Sequence, residues 1–417
     1  TMLPPLKRPL LALNFFAGDV TAGFGPYLAI YLLSQLHWGP GDIGFALALG
    51  TIVTVLIQTP AGALIDWITA KRGLLIVSAG AVGMAATLVV LTNWTPLIFA
   101  AQTLVGVSLA FVGPLIAAIT LGVVGHDGFT RQTSANQAWN HAGNVAAAAL
   151  AAALAMYGYV TGVFVLISAM AAGMIVSACF ISPSQIDHEI ARGGVAERAD
   201  GEEQPSGFGT ILGDRRLLVF AASIFLFHFA NAAMLPLVSQ KLSLGGDTGT
   251  GIAFTSACII AAQFVMIGMA VLCGRTADRW GRKPLFLLAF AILPIRAVLY
   301  TLTDSSVLLV AIQALDGVAN GVFAIIFLLV VSDVTAGTGR FNVAQGALAT
   351  LVGIGASLSN LLAEQVVQYA GYDPAFYFLG AVALIGAVLF MAFMPETAAH
   401  ALANADGRTR PGRGPAS

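Results

Sequence analysis

Length, composition and charge exclude an ordinary soluble protein. The 417 residues are 58% hydrophobic and only 9% charged, with a mean hydropathy of +0.87, whereas about a quarter of the residues in a soluble domain are charged. The net charge of −1 gives no indication of a nucleic-acid partner, and none is expected.

Apolar runs of roughly 20 residues recur along the whole chain, and each is long enough to cross a hydrocarbon core of about 30 Å. A membrane β-barrel would instead show alternation in segments of about ten residues. We therefore predict an all-α membrane protein with twelve transmembrane helices. The predicted spans are 9–34, 43–65, 73–92, 97–122, 133–156, 159–181, 216–239, 251–273, 284–303, 306–332, 341–368 and 374–394.

One long polar interval, residues 182–214, divides these spans into two groups of six. Its mixed charge, its glycines and its lack of apolar periodicity predict a flexible linker. The predicted domains are an N-terminal six-helix bundle over 1–181, the cytoplasmic linker, a C-terminal six-helix bundle over 215–394 and a cytoplasmic tail over 395–417. The first apolar run is too long for a signal peptide, so we take it as the first span.

Positive charges predict the orientation. With the N-terminus placed in the cytoplasm, all but two of the 19 Lys and Arg residues fall in cytoplasmic segments; the exceptions are Lys241 on the outside and Arg296 within a span. Since cytoplasmic loops are enriched in these residues, both termini are expected to be cytoplasmic. The cysteines, Cys179, Cys258 and Cys273, lack the spacing of metal ligands, and neither a metal nor a cofactor is expected.

The two halves of the chain repeat each other. "GALIDWITAK" (62–71) aligns with "GRTADRWGRK" (274–283) at an offset of 212 residues, and "QTLVG" (102–106) aligns with "QALDG" (313–317) at 211. Such constant offsets indicate a duplicated six-helix unit, which is an organisation typical of secondary transporters. The sequence therefore predicts two pseudo-symmetric bundles.

Both charged stretches join the second and third helix of a six-helix unit. In this position the pattern G-x-x-x-D-R-x-G-R-K resembles the signature loop of the major facilitator superfamily, and the resemblance covers essentially the whole chain. The second stretch carries Gly274, Asp278, Arg279, Gly281, Arg282 and Lys283, while the first keeps Gly62, Asp66, Lys71 and Arg72.

The resemblance implies that these loops hold the two halves together on the cytoplasmic side and separate when that side opens. The alternative is that the cations only anchor the topology. Because the second stretch keeps more of the motif, the sequence predicts that Asp278→Asn impairs transport more than Asp66→Asn.

Charged residues within spans cost about 2.5–3.5 kcal/mol on insertion scales and are candidates for function. Asp19 lies near the middle of the first span. Arg296 and Asp316, in the ninth and tenth spans, lie at depths within reach of each other, so a structural ion pair and a role in transport are both open. His228 and Asn231 share one face of the seventh span.

The resemblance also implies a central cavity lined by helices one, four, seven and ten. Polar stripes in the fifth and eleventh spans are candidates either for substrate contact or for hydrogen bonds between helices. The cavity helices carry Asp19, Gln102, His228, Asn231, Asp316 and Asn320, and the stripes comprise Asn136, Asn140 and Asn144 with His141, and Ser357, Asn360 and Glu364. The G-x-x-x-G of Gly317 and Gly321 is expected to serve helix packing.

The favoured interpretation is a monomeric secondary transporter in the bacterial inner membrane. It would move a small organic solute by alternating access in proton-coupled efflux, and proton-coupled uptake is the alternative. Drug–proton antiporters of this family carry an Arg where this chain has Gln102, and a Gly-Pro motif in helix five that it lacks. The proton carriers would therefore be Asp19, His141, His228 or Asp316.

Two other classes of protein remain as alternatives. A membrane-embedded enzyme is disfavoured because the sequence contains no His-Glu-x-x-His, Gly-x-Ser-x-Gly or Gly-x4-Gly-Lys-Ser/Thr motif. A receptor without transport would leave the duplication unexplained.

Overall fold

The computed structural model describes residues 6–22, 24, 28, 31–32, 35–38, 40–156, 159, 161–194, 213–244 and 248–398. Their regular structure is helical, and twelve long helices follow one another along the chain. They are α1 (Arg8–Ala22), α2 (Pro40–Trp67), α3 (Lys71–Leu91), α4 and α5 (the two parts of Thr95–Met156), α6 (Gly162–Cys179), α7 (Arg215–Asn231, continued by Met234–Leu244), α8 (Thr248–Trp280), α9 (Arg282–Thr301), α10 (Ser306–Thr335), α11 (Phe341–Ala370) and α12 (Tyr372–Phe393).

The helices confirm the predicted fold of twelve transmembrane helices. Within the described residues, ten windows are long and apolar enough to cross a membrane, and one of them runs through both α4 and α5. These windows therefore account for α2 to α12. Part of the predicted first span after Ala22 lies outside the described residues.

A single glycine separates α4 (95–124) from α5 (126–156). Gly125 has φ +68° and ψ 176°, a conformation that interrupts the helix and that glycine adopts without a steric penalty. The sequence predicted a polar break of about ten residues here, but the helices continue to within one residue of each other. The helices therefore extend beyond the apolar runs on which the prediction was based.

The predicted duplication is visible in helix packing. A Cβ atom on Gly106 of α4 would meet the carbonyl oxygen of Gly50 and the side chain of Val53 on α2. In the second half, a Cβ atom on Gly317 of α10 would meet the carbonyl oxygen of Ala262 and the side chain of Val265 on α8. Equivalent helix pairs thus pack through equivalent glycines, and Gly317 serves packing as its G-x-x-x-G spacing indicated.

The two halves meet along two helix pairs, α2 with α11 and α5 with α8. On the first pair, the Thr59 hydroxyl lies 3.1 Å from that of Thr350, and a Cβ atom on Gly353 would lie 2.9 Å from Val55. These contacts extend from the end of the bundle that contains Asp66 and Asp278, which we call the charged-loop end, for about 18 Å along α2.

Residues 182–194 differ from the predicted flexible linker. They form a 3-10 turn at Pro183–Gln185 and a short helix at His188–Ala191, and they bond to both halves. Asp187 N donates to the Gly122 carbonyl at the end of α4 (3.0 Å), and Phe341 N at the start of α11 donates to the Arg192 carbonyl (2.9 Å). Helix ends leave backbone groups unpaired, and this segment supplies their partners. The remainder of the predicted linker, 195–212, lies outside the described residues.

The glycine contact between α8 and α10 can be tested by substitution. We expect Gly317→Ala to destabilise the purified protein by about 1–3 kcal/mol, because the added methyl group has no room between the two helices. Thermal unfolding in detergent measures the change. Gly268→Ala on α8 is the matched control, since no atom lies within 4 Å of its Cβ position; equal losses from both variants would contradict the packing role.

Candidate functional site

A buried arginine organises the polar residues of the C-terminal half. Arg296 on α9 has an exposed fraction of 0%. Its Nη1 donates to Asp316 Oδ1 (2.6 Å) and to Asn231 Oδ1 (2.7 Å), and its Nη2 donates to Gln313 Oε1 (3.2 Å). The structure therefore contains the Arg296–Asp316 ion pair that the sequence left open, with α7 and α10 both bound to the same guanidinium.

Further polar side chains complete this cluster. Asn320 Nδ2 donates to Asp316 Oδ1 (2.9 Å), and Asn231 Nδ2 donates to Asn320 Oδ1 (3.2 Å). The Tyr300 hydroxyl donates to Gln313 Oε1 and lies 3.3 Å from Arg296 Nη2. Sequence reasoning missed Tyr300 and Gln313, although Tyr300 follows Arg296 by four residues and so lies on the same helix face.

The His228 side chain forms no hydrogen bond with this network in the part of the chain that the structure describes. Its Nδ1 lies 3.4 Å from the carbonyl of Ile224 on the same helix, and its ring contacts that of Phe323 with 4.4 Å between centroids. His228 is half-buried. An aromatic contact therefore positions this side chain beside the cluster.

Asp19 is the buried acid of the N-terminal half. Its exposed fraction is 3%, and its Oδ2 has no hydrogen-bond partner among the described residues. The preceding residue, Gly18, packs on the backbone of α5: a Cβ atom there would lie 3.0 Å from Asn144 N. Asp19 follows Gly18 directly and so lies on another face of α1.

Three further residues proposed from the sequence take part in helix contacts. Asn140 Nδ2 donates to the Asn14 carbonyl (3.2 Å), and Asn144 Nδ2 lies 3.4 Å from Asn140 Oδ1. Gln102 Nε2 donates to the Ala46 carbonyl on α2 (2.9 Å) and is buried. The structure therefore places the Gln102 amide in the packing of α2 against α4.

His141 connects the two halves. Its Nδ1 lies 2.8 Å from Gln263 Oε1 on α8, and the side chain is buried. On α11, by contrast, Ser357 and Asn360 bond to backbone carbonyls of their own helix, and Glu364 accepts from Gln240 Nε2 (2.6 Å). The polar stripe of α11 is therefore engaged within its own half of the protein.

A cavity of 220 Å³ lies between α1, α4 and α5. Leu328 of α10 borders it from the other half. Its walls combine small apolar residues with uncharged polar ones. The lining residues are Asn14, Ala17, Gly113, Ile116, Ala117, Thr120, Thr133, Asn136, Gln137, Asn140 and Leu328.

At the charged-loop end, Asp66 is bound to the N-terminus of α11 in the opposite half. Its Oδ1 accepts from Asn342 N (3.1 Å) and Asn342 Nδ2 (2.8 Å), and its Oδ2 accepts from Val343 N (2.9 Å). The first N–H groups of a helix have no partner within it and carry a positive partial charge. Asp66, with an exposed fraction of 2%, therefore closes this end of the interface between the halves.

Asp278 is the equivalent residue in the second half, but its bonds are different. Its Oδ1 accepts from the Thr130 hydroxyl on α5 (2.7 Å) and from Arg282 Nη1 (2.7 Å), and its side chain is 50% exposed. Thr130 corresponds to Asn342 at the offset of 212 residues. Since Thr130 lies beyond the first turn of α5, only its side chain is available there, and the bond to Asp278 is less buried.

The other charged residues of the two loops bind mainly within their own half. Arg72 Nη1 donates to the Ile181 carbonyl after α6 (3.0 Å), and Lys283 Nζ donates to the Met391 carbonyl in α12 (2.8 Å). Both bonds link the start of a third helix to the last helix, or its end, in the same six-helix unit. Lys71 is buried with its Nζ 2.6 Å from the Ile68 carbonyl, whereas Arg279 is exposed.

The glycines of the motif allow close approach. A Cβ atom on Gly62 would overlap the backbone of Asn342, and one on Gly274 would lie 2.7 Å from the side chain of Ser134. Gly281 has φ +92° and precedes α9, whose first N–H groups donate to Glu396: Arg282 N at 2.8 Å and Lys283 N at 3.0 Å. Sequence reasoning missed Glu396, which lies 115 positions after Gly281 and in the predicted tail.

Arg282 connects three helices at this end. Besides Asp278, its Nε donates to Asp333 Oδ2 on α10 (3.0 Å). The Thr397 hydroxyl donates to the same oxygen (3.1 Å). Arg282 thus links the start of α9 to the end of α8 and to the end of α10. Asp333 in turn links α10 to the segment after α12 through Thr397.

Comparison with known proteins gives one consistent result. The family model described as Major Facilitator Superfamily matches residues 10–293 and again residues 242–413. An uncharacterised MFS-type transporter of Mycobacterium tuberculosis is 47% identical over 397 residues, which is 94% of this chain and 94% of that protein.

More distant relatives carry functional names. A chloramphenicol resistance protein of Pseudomonas aeruginosa is 26% identical over 39% of this chain and 38% of its own length, and citrate exporter 1 of Yarrowia lipolytica is 28% identical over 43% and 26%. The solved structure of the proton:xylose symporter XylE aligns with a TM-score of 0.67 at 14% identity, covering 93% of this chain and 95% of that one.

The geometry gives a separate expectation for the two loop acids, which concerns the closed end of the bundle and not the rate of transport. We expect Asp66→Asn to loosen the charged-loop end more than Asp278→Asn, because Asp66 accepts three hydrogen bonds across the halves in a buried site. Hydrogen bonds to charged groups contribute about 1.5–3 kcal/mol each. Pulsed EPR distances between spin labels at positions 180 and 393, both exposed, measure the separation of the halves.

Asp278→Asn is the matched control for this measurement, since it removes the equivalent charge from the second half. A longer or broader distance distribution in Asp278→Asn than in Asp66→Asn would contradict the assignment. Both variants need to be compared in a background in which the exposed Cys179 is replaced by serine.

The buried ion pair predicts strong coupling between its two members. We expect Arg296→Gln and Asp316→Asn to destabilise the protein by about 3–5 kcal/mol each, because each leaves the other charge buried without its partner. The double variant is expected to recover part of the loss. A thermal-unfolding double-mutant cycle measures the coupling, and strictly additive losses would show that the pair does not contribute as an ion pair.

Proposed function

Because the chain belongs to the major facilitator superfamily, we propose that this transporter exports a small organic solute across the bacterial plasma membrane. Export would proceed by alternating access and would be driven by protons moving in the opposite direction. The observation that carries alternating access is the pair of similar halves that contact each other at the charged-loop end of the bundle.

The state of the interface supports this mechanism. From Asp66 to Val55, α2 contacts α11. One turn farther along, Ile52 on α2 and Ser357 on α11 are both exposed. The contacts between α2 and α11 thus lie at the charged-loop end, as expected for one of the two arrangements that alternating access requires.

The positive charges support an orientation. The charged-loop end contains Arg72, Arg282 and Lys283, and the described residues next to both termini, Lys7 and Glu396, also lie there. Lys and Arg are enriched on the cytoplasmic side of membrane proteins. We therefore assign the charged-loop end to the cytoplasm, so that the observed contacts close the cytoplasmic side.

Two distant relatives support export as the direction. One is named for chloramphenicol resistance and the other for citrate export, and both names describe removal of a compound from the cell. Each aligns with less than half of this chain. Alternating access runs in either direction according to the gradients, so it is compatible with export by this protein.

Asp19 supports proton coupling. Its carboxyl group is buried without a partner on Oδ2, whereas Asp316 is neutralised by Arg296. An unpaired charge is unfavourable in a dry site, and binding a proton neutralises the carboxyl group. Asp19 can therefore take up and release a proton as the site changes its exposure to water, while the ion pair of the other half keeps its charge.

Transport in reconstituted vesicles tests the function. With purified protein in liposomes, we expect an imposed pH gradient to drive net movement of labelled chloramphenicol from the charged-loop side. Protein-free liposomes give the background. Gradient-driven movement only towards the charged-loop side would establish uptake instead, and chemical conversion of the probe without movement would establish an enzyme.

The role of Asp19 gives a sharper prediction. We expect Asp19→Asn to abolish accumulation driven by a pH gradient while exchange of substrate across the membrane continues, because exchange requires no net proton movement. Asp304→Asn, which removes an exposed carboxyl group between α9 and α10, is the matched control and should leave accumulation unchanged. Unchanged, pH-dependent accumulation by Asp19→Asn protein would assign Asp19 a purely structural role.

A further inference from the structure

The cavity of the N-terminal half indicates a chemical class of substrate. Its 220 Å³ lie between α1, α4 and α5, which is room for several water molecules or a small solute. From its lining we infer that the cavity binds an uncharged solute that carries both hydrogen-bond donors and acceptors. The inference rests on the proposed function, since it names the substrate class of the same transporter.

The polar groups of the lining divide into two sets. One set is occupied by bonds between helices: Asn136 Nδ2 donates to the Thr120 hydroxyl (3.0 Å), and Asn140 Nδ2 donates to the Asn14 carbonyl (3.2 Å). These bonds hold α1, α4 and α5 around the space. They fix the walls and leave other groups to bind a solute.

The second set has no hydrogen bond to the described residues. It consists of the Oδ1 atom of Asn14, the hydroxyl of Thr133 and the side-chain amide of Gln137. Asn14 Nδ2 donates to the Leu10 carbonyl (2.8 Å), which fixes its amide group in place. Together these groups offer one fixed acceptor, one hydroxyl and one amide that both donates and accepts.

No ionisable side chain lines this cavity among the residues that the structure describes. A charged solute entering it would lose its hydration without gaining a counter-charge, which is unfavourable. Arg296 and Asp316 lie in the other half and neutralise each other. The lining therefore selects against both anions and cations.

Gln132 separates the cavity from nearby cations. Its Nε2 donates to Asn136 Oδ1 (2.9 Å), and its Oε1 accepts from Lys7 N (2.8 Å). On the far side of Gln132 lies a second cavity of 190 Å³, lined by Lys7 and Arg131 among others. The positive charges thus belong to the charged-loop end and not to the solute cavity.

Thiol labelling tests this selectivity without knowledge of the natural substrate. A cysteine introduced by Gln137→Cys is reacted with three methanethiosulfonates of similar size: the uncharged 2-hydroxyethyl, the anionic 2-sulfonatoethyl and the cationic 2-aminoethyl reagent. Each rate is divided by the rate of the same reagent with 2-mercaptoethanol. The background carries Cys179→Ser, and Cys258 and Cys273 are buried.

We expect the uncharged reagent to react at least about tenfold faster than either charged one, because the cavity offers no counter-charge. Asp304→Cys is the control: the side chain of Asp304 is 92% exposed, and its three normalised rates should be nearly equal. Thr133→Cys, a small change at the cavity wall, provides a second labelling position with the same expected order if Gln137→Cys does not fold.

Equal normalised rates at position 137 or 133, or a faster rate for a charged reagent, would overturn the inference. Absence of reaction with the uncharged reagent at both positions would overturn it as well, since the cavity would then be closed to solutes. Labelling requires no transport, so the expected labelling without any flux would contradict only the proposed function. Flux together with equal labelling rates would contradict only the substrate class.

Discussion

The bond between Asp66 and the N-terminus of α11 is the interaction on which the closed arrangement of the two halves depends. A carboxylate with an exposed fraction of 2% meets two backbone N–H groups and one side-chain amide of the opposite half. The partial positive charge of a helix N-terminus stabilises such an acid. The approach is close because Gly62 and Gly346 have no side chains between α2 and α11.

The same contact includes the segment after α6. Asn342 Nδ2 donates both to Asp66 and to the Ala191 carbonyl (3.0 Å), so α2, α11 and the linker share one amide group. Opening the charged-loop end would break these bonds together. A cluster that is either complete or absent favours two discrete arrangements over a continuous range, as alternating access requires.

The duplicated halves use their shared framework for different chemistry. In the C-terminal half, Arg296 is neutralised by Asp316 and surrounded by hydrogen-bond acceptors. In the N-terminal half, Asp19 has no partner on Oδ2, and the neighbouring cavity has an uncharged lining. We therefore assign proton binding to Asp19 on one side of α1 and solute binding to the cavity on another side. The Arg296–Asp316 ion pair of the other half stays in place.

The sequence predicted the fold well because membrane insertion depends on long apolar runs, and these are visible without a structure. It also predicted the repeated charged loops, because the residues of that motif are adjacent in the sequence and can be recognised without a structure. Its ranking of Asp278 above Asp66 concerns transport and stays a prediction. Motif similarity does not report that α11 begins at Phe341 and presents its first N–H groups to Asp66.

Contacts between distant segments were the part that could not be predicted. Glu396 binds the start of α9 across more than a hundred residues, and residues 182–194 bond to helix ends that no local pattern identifies. Gln102 was assigned to a cavity by helix number alone, and its hydrogen bond to the Ala46 carbonyl on α2 has no local signal in the sequence.

Cross-linking α2 to α11 tests most directly whether separation of the halves at the charged-loop end is required for transport. The hydroxyl groups of Thr59 and Thr350 lie 3.1 Å apart, so the double variant Thr59→Cys and Thr350→Cys is suited to disulfide formation. The measurement is solute flux in liposomes before oxidation, after oxidation and after reduction. The account predicts that oxidation abolishes flux and that reduction restores it; undiminished flux through the oxidised protein would contradict it.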